Sequence, residues 1–286
     1  MNLQKKTQAQ LGLIITAFIW GVTFVMIKNA LNDAPPFAFG AYRFLIAVFL
    51  TLLIWNKHLK KFSQNELIGG MVCGFFLFCG FGFQNFGLIH TTASKSAFIT
   101  AIYVLFVPIL LFLLWRSKIQ SRSWVAVVLA ILGIYILINP QNAGMNRGDI
   151  ITLFCALSFA NHIVFQDIFL KKGIDLKKFF FIQIIVVSSF SFLGNWLFEP
   201  RAIIWSGQLI YALFFTGVFA TFIGFLAMVW AQKILTANET AIILSLEPVF
   251  ASLYAAIIVG EILGIHGWLG GFLVVIGVIY GQTGKK

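Results

Sequence analysis

The sequence predicts an all-α integral membrane protein with ten transmembrane helices arranged as a five-plus-five inverted repeat. Three observations carry this reading: the composition, the length of the apolar runs, and the way the chain repeats on itself. Of 286 residues, 60% are hydrophobic, 16% aromatic and only 10% charged, against about 25% charged in soluble globular chains. So few charges cannot cover the surface of a soluble protein this size. A helix crosses about 30 Å of hydrocarbon in roughly 18 or more apolar residues, and within the bilayer it must satisfy its own backbone hydrogen bonds. The runs here are continuous and lack the short alternating pattern of barrel strands.

In chain order the predicted spans are Leu11 to Leu31, Phe37 to Trp55, Glu66 to Leu88, Ser96 to Trp115, Trp124 to Ile138, Asp149 to Leu170, Phe179 to Leu197, Leu209 to Ala231, Thr240 to Val259 and Gly267 to Tyr280. The fifth and tenth are short and are expected to extend into the polar positions that flank them. Connections such as Asn56 to Asn65, Arg116 to Ser123 and Asn139 to Gly148 leave no room for an extramembrane domain. The N-terminal stretch, with Lys5 and Lys6, runs into an apolar segment ending in Trp20, Gly21 and Lys28 without a small-residue cleavage site, so it reads as a retained first span. Cys73, Cys79 and Cys155 sit in apolar surroundings and form neither a disulfide framework nor a metal-ligand pattern.

An even span count puts both termini on one side. With that side cytoplasmic, 15 of the 20 Lys and Arg fall at the cytoplasmic face, and only Lys28, Arg43, Lys95, Arg147 and Arg201 do not. The net charge of +11 is therefore an orientation signal and not a nucleic-acid surface. The expected location is a bacterial inner membrane.

Displaced by 144 residues, Thr92-Ala93-Ser94-Lys95-Ser96-Ala97-Phe98-Ile99 falls on Thr236-Ala237-Asn238-Glu239-Thr240-Ala241-Ile242-Ile243. The same displacement pairs Gly80 with Gly224, Trp124 with Trp268 and Gly133 with Gly277. The predicted units are residues 1–142 and 143–286, each with five spans. An odd number inverts the second half in the bilayer, an architecture characteristic of secondary transporters. Glycines four apart, at 70/74, 260/264, 267/271 and 277/281, suit close backbone approach between helices.

Several of these residues carry a family resemblance. Trp20-Gly21 with Thr23 and Lys28, Pro36 followed by Arg43-Phe44, the two Thr-Ala segments, and Leu246-Glu247-Pro248-Val249 resemble the EamA-type families of the drug/metabolite transporter superfamily. The likeness covers essentially the whole chain. It implies ten spans, cytoplasmic termini, a central cavity shared by the halves, and movement of small organic solutes such as amino acids or related metabolites. The symmetry is approximate: Val104 stands opposite Pro248, the first half carries Pro108 one turn later, and Phe159 best matches Trp20. Pro108 and Pro248 are candidate helix kinks, each freeing a backbone carbonyl, at different depths.

Polar side chains within the spans are the candidate cavity and substrate-binding groups, because burying them in hydrocarbon is costly. They are Gln84, Asn85 and Tyr103 in the first half and Asn161, His162 and Glu247 in the second, joined by Arg43 and the aromatic Trp20. Gln166 and Ser245 belong to the same class, and Tyr42 and Trp230 are further candidate wall aromatics. Tyr103 is the repeat partner of Glu247. Glu247 lies seven residues into the ninth predicted span and Arg43 six residues into the second. At about 1.5 Å per residue both are roughly 10 Å deep, from opposite faces. Each needs a partner, a wet cavity or a changed protonation state; a direct ion pair and separate cavity roles are both open.

No zinc-protease, hydrolase-elbow or phosphate-loop motif is present in the sequence, so an enzyme, direct ATP drive and a metal centre are not expected. Gly284-Lys285 lacks the glycine spacing and hydroxyl of a phosphate loop. The expected function is secondary transport of a small polar or amphiphilic metabolite by alternating access, without a cofactor. Its expected partners are membrane lipid, the solute, and a coupling proton or other ion. The alternatives are a non-transporting scaffold, with closed polar interfaces and no cavity, and a channel with a continuous pore.

Overall fold

The computed structural model describes residues 3–116, 118, 120–138, 146–200, 202–258, 260 and 264–282. The expected boundary at 142/143, and Arg201, Val259, Lys285 and Lys286, lie outside them. The described residues form helices α1 (Leu3–Ala30), α2 (Pro36–Trp55), α3 (Gln64–His90), α4 (Ala93–Ala101), α5 (Tyr103–Trp115), α6 (Ser121–Ile138), α7 (Arg147–Leu170), α8 (Leu176–Phe198) and α9 (Gly207–Phe215). A π-helical segment, Thr216–Ile223, leads into α10 (Gly224–Gln232), followed by α11 (Ala237–Leu244), α12 (Glu247–Ile258) and α13 (Ile265–Gln282). Among the described residues, eight helical segments are long and apolar enough to cross a membrane, accompanied by two shorter apolar helices, Ser121–Ile136 and Trp268–Gly281. The protein is an all-α integral membrane protein.

Helix starts follow local chemistry. Ser63 with Glu66, Asn146 with Asp149 and Thr236 with Glu239 form reciprocal capping boxes at α3, α7 and α11, each satisfying two backbone donors that a helix N-terminus leaves open. Proline at the first position starts α2 without wasting a hydrogen bond. Its next donors, the Phe37 and Ala38 amides, reach the Glu199 carboxylate at the end of α8, at 3.0 to 3.1 Å. Asp175 caps α8 through the Lys177 and Lys178 amides and bonds His58 at 2.9 Å. Burial pushes the Asp175 carboxyl up, but His58 and those amides outweigh it and hold the group below its ordinary value.

Two predicted spans are interrupted. The fourth breaks at Ile102, between α4 and α5, and the ninth at Ser245-Leu246, between α11 and α12. The first interruption is thus not at Pro108, which lies inside α5; Pro248 is the second residue of α12. In the 144-residue register the breaks coincide, so Tyr103 and Glu247 each open the helix that follows. The different depths expected from the prolines give way to one shared depth.

Packing joins α3 to α7, α2 and α3 to α8, α1 to α12 and α10, and α6 to α13. Close approach relies on glycine where expected at Gly70 and Gly74, where an added Cβ would lie 2.5 Å from Ile182 and 2.8 Å from Val186 of α8. Gly260 and Gly264 differ: both lie in the α12 to α13 connection, with nothing within 4 Å of an added Cβ, because the helices end on either side of them. The outer surface is strongly apolar, with Phe49, Phe112, Phe154, Trp196 and Phe272 all more than half exposed, as a surface solvated by lipid requires.

Candidate functional site

A cavity lies where α1, α2, α3, α5, α7, α10, α11 and α12 converge. Its walls are aromatic: Trp20 and Phe24 from α1, Phe81 from α3, Phe159 from α7 and Phe225 from α10, with Met228, Ile163 and Leu244. Its polar groups are Thr23, Arg43, Gln84, Tyr103, His162 and Glu247. About 30 Å³ is open to the centres of water-sized molecules. Since one water needs about 10 to 15 Å³ on that measure, the space suits two or three waters.

Arg43 is held by three neighbours. Its Nε donates to Thr221 Oγ1 at 2.7 Å, and its guanidinium carbon lies 4.4 Å from the Phe81 ring centre and 5.7 Å from that of Phe44. Such stacking on aromatic faces stabilises a guanidinium away from water. Nη1 is buried without a hydrogen-bond partner. Glu247 stands in the first turn of α12, where open N–H groups and the helix dipole favour negative charge. Tyr103 lies beside it, its hydroxyl without a well-formed hydrogen bond. Among the described residues no salt bridge joins Arg43 to Glu247; the two side chains share one cavity without direct pairing.

The π-helical segment explains how α2 and α1 are anchored here. Its wider turns use i→i+5 bonding, and the Ala220 carbonyl accepts from Trp20 Nε1 at 2.8 Å. Thr221 of the same segment holds Arg43. Nothing in the apolar run from Leu209 to Ala231 signals this conformation.

Of the sequence candidates, Trp20, Arg43, Gln84, Tyr103, His162 and Glu247 come together at the cavity. His162 Nε2 also meets Gln183 Oε1 at 2.8 Å. Asn85 and Asn161 are not among the lining residues. The Asn85 amide NH2 donates across to the Pro36 carbonyl at the start of α2 at 3.1 Å, leaving its buried Oδ1 without a partner, and that of Asn161 donates to Leu157 one turn back at 2.9 Å. Tyr42 packs edge-on against Phe192 and Trp205, and Trp230 lines a separate groove with Trp55 and Lys177. The residues missed were apolar walls such as Phe81, Phe225 and Met228, indistinguishable in sequence from lipid-facing positions. Gln166 pairs with Gln232, which donates to the Ile163 carbonyl at 3.1 Å. Among the described residues no cluster of His, Cys, Asp or Glu is placed to hold a metal.

A solved crystal structure superposes with a TM-score of 0.78 over 96% of each chain at 16% identity, which establishes a shared fold. An uncharacterized transporter of Archaeoglobus fulgidus is 34% identical over 96% of this chain and 86% of its own length. The Bacillus subtilis uncharacterized transporter YoaV is 23% identical over 95% of both. A probable amino-acid metabolite efflux pump of Escherichia coli is 28% identical over 54% of this chain and 51% of its own. The EamA-like transporter family matches twice, at residues 7–139 and 146–280. With the family pattern laid twice along nearly its whole length, the chain belongs to the EamA-like transporter family.

Proposed function

We propose that the protein is a secondary transporter that carries small polar or amphiphilic metabolites by alternating access, through ten spans in two inverted halves of residues 1–142 and 143–286, with both termini cytoplasmic. The carrying observation is the shared cavity: Arg43 from one half and Glu247 from the other face it without pairing with each other. Arg43, with Nη1 uncommitted, receives a carboxylate or another anionic group. Glu247, with Tyr103 beside it, receives an amine or exchanges a coupling proton. The aromatic walls hold the apolar part of the solute. A dipolar metabolite such as an amino acid or a related compound matches that arrangement.

The packing pattern supports inversion. Laid on each other, the halves exchange α3 against α7 with α10 against α1, and the α2–α8 and α6–α13 contacts each join equivalent spans. The cavity favours transport over a scaffold, which needs none. Its small size requires the halves to separate before a metabolite enters.

Vesicles reconstituted with the protein and offered labelled amino acids, nucleobases and sugars test the reading. Saturable uptake competed by unlabelled solute is expected. Glu247→Gln keeps shape and removes charge; it is expected to reduce uptake at least tenfold while expression and melting temperature stay near wild type. Wild-type uptake in this variant would remove Glu247 from the site, and no uptake of any solute by folded wild-type protein would refute the transport reading.

A further inference from the structure

Two ion pairs tie the halves together at opposite ends of the molecule. Lys95 Nζ, in the first turn of α4, lies 2.5 Å from Asp149 Oδ2 near the start of α7. Lys6 Nζ, near the start of α1, lies 2.8 Å from Glu239 Oε1 in the first turn of α11. Each pair joins the first helix of one half to the fourth span of the other. In the 144-residue register Lys95 falls on Glu239. In the register that lays Trp20 on Phe159, Asp149 falls on Gln10, one helical turn from Lys6 and on the same face. One contact therefore occurs twice with its charges exchanged: the first half supplies both lysines and the second both carboxylates.

The surroundings match the first pair to a closed end. Asp149 is fully buried and also accepts from Thr91 Oγ1 at 2.7 Å. Lys28 caps the end of α3 beside it, donating to the Leu88 and Thr91 carbonyls at 2.8 and 2.7 Å. Side chains of the second pair are less than a fifth exposed. Both carboxylates also close a capping box, accepting the Asn146 and Thr236 amides, so each half-site carboxylate stays fixed on its own helix when the lysine leaves. The lysine is the charged contact that must break for the halves to part at that end, together with the Thr91 hydrogen bond at the Asp149 end.

We propose that Lys95–Asp149 and Lys6–Glu239 are the two gate latches of the transport cycle, released alternately. This rests on the alternating-access reading. The Lys6–Glu239 latch closes the face bearing the N-terminus, and Lys95–Asp149 closes the other. The four residues are positioning residues: none lines the cavity, and their release decides which side it opens to.

The test uses no substrate, so its outcome is separable from that of the uptake experiment. In a background of Cys73→Ala, Cys79→Ala and Cys155→Ala, Met228→Cys places a thiol in the cavity. Its labelling by a membrane-impermeant maleimide is then compared in right-side-out and inside-out vesicles. Lys95→Gln is expected to raise labelling from the face opposite the N-terminus at least threefold relative to the other face. Lys6→Gln is expected to raise it from the N-terminal face by a similar factor. Lys95→Arg and Lys6→Arg keep the charge and are expected to hold the unsubstituted ratio. Carbodiimide cross-linking of each lysine to its carboxylate, identified by mass spectrometry, needs no substitution at the pair and is expected to abolish labelling from the face it locks. Side ratios that do not change, or that move in the same direction in both Gln variants, overturn the proposal, as does undiminished labelling through a cross-linked face.

Discussion

At the scale of single residues, the sequence announces charge and hides shape. Arg43 and Glu247 are legible because an ionised group inside an apolar run has few explanations. Asn85 and Asn161 look equally suspicious in one dimension, but their amide NH2 groups donate to backbone carbonyls away from the cavity, because an amide satisfies a backbone group as readily as it binds a solute. Gly21 is the residue whose importance emerges only in three dimensions. A Cβ there would lie 2.7 Å from the Glu247 carbonyl oxygen, 2.8 Å from Phe250 Cβ and 2.9 Å from the Ala251 nitrogen. Two of these are backbone atoms, so α12 itself must shift and carry Glu247 with it. Overpacking of this kind costs about 1 to 3 kcal/mol. Gly21→Ala is expected to lower the melting temperature in detergent and to reduce uptake with it. Gly12→Ala, whose added Cβ meets only Trp230 at 3.8 Å, is the matched control and is expected to be neutral or slightly stabilising. Equal behaviour of the two variants would show that the α1–α12 approach does not set the position of Glu247.

At the scale of elements, the span map follows from length and hydropathy, whereas helix interruptions do not. The break ahead of Glu247 has a local cue, since Pro248 has no N–H to bond the Leu244 carbonyl four residues back and suits the first turn of a new helix. The break at Ile102 has no proline at the corresponding place and is legible only through the repeat. The π-helical stretch leaves no trace of its own, because its β-branched and aromatic residues are of the kinds that fill the other spans, and its reason lies in Trp20 and Arg43 across the interface. The α6–α13 pair shows the opposite case. Gly133 and Gly277 are repeat partners, and each faces the backbone of the other's helix: an added Cβ would sit 2.6 Å from the Gly270 oxygen or 3.0 Å from that of Ala126. Neither helix contributes a cavity residue. Gly133→Ala is therefore expected to destabilise by about 1 to 3 kcal/mol, read as a lower melting temperature, while uptake below that temperature stays near wild type. Lost uptake at unchanged melting temperature would place α6 and α13 in the transport machinery.

At the scale of the whole molecule, two facts about the sequence bear on its function: charges are sparse, and the chain repeats. Both were readable without coordinates, and the family match covers both repeats. What sequence alone does not reveal is how little room the centre offers, because volume depends on side chains from eight helices meeting at once. That tightness has an electrical consequence. With the proposed latches closing the two ends and space between, among the described residues, for only two or three waters, the closed form is expected to carry no continuous file of water for ions or protons. A membrane crowded with this protein is expected to remain a good insulator. Vesicles holding it should keep a potassium-diffusion potential, followed with a voltage-sensitive dye, as long as protein-free vesicles do, and a faster decay would mean that the closed form conducts.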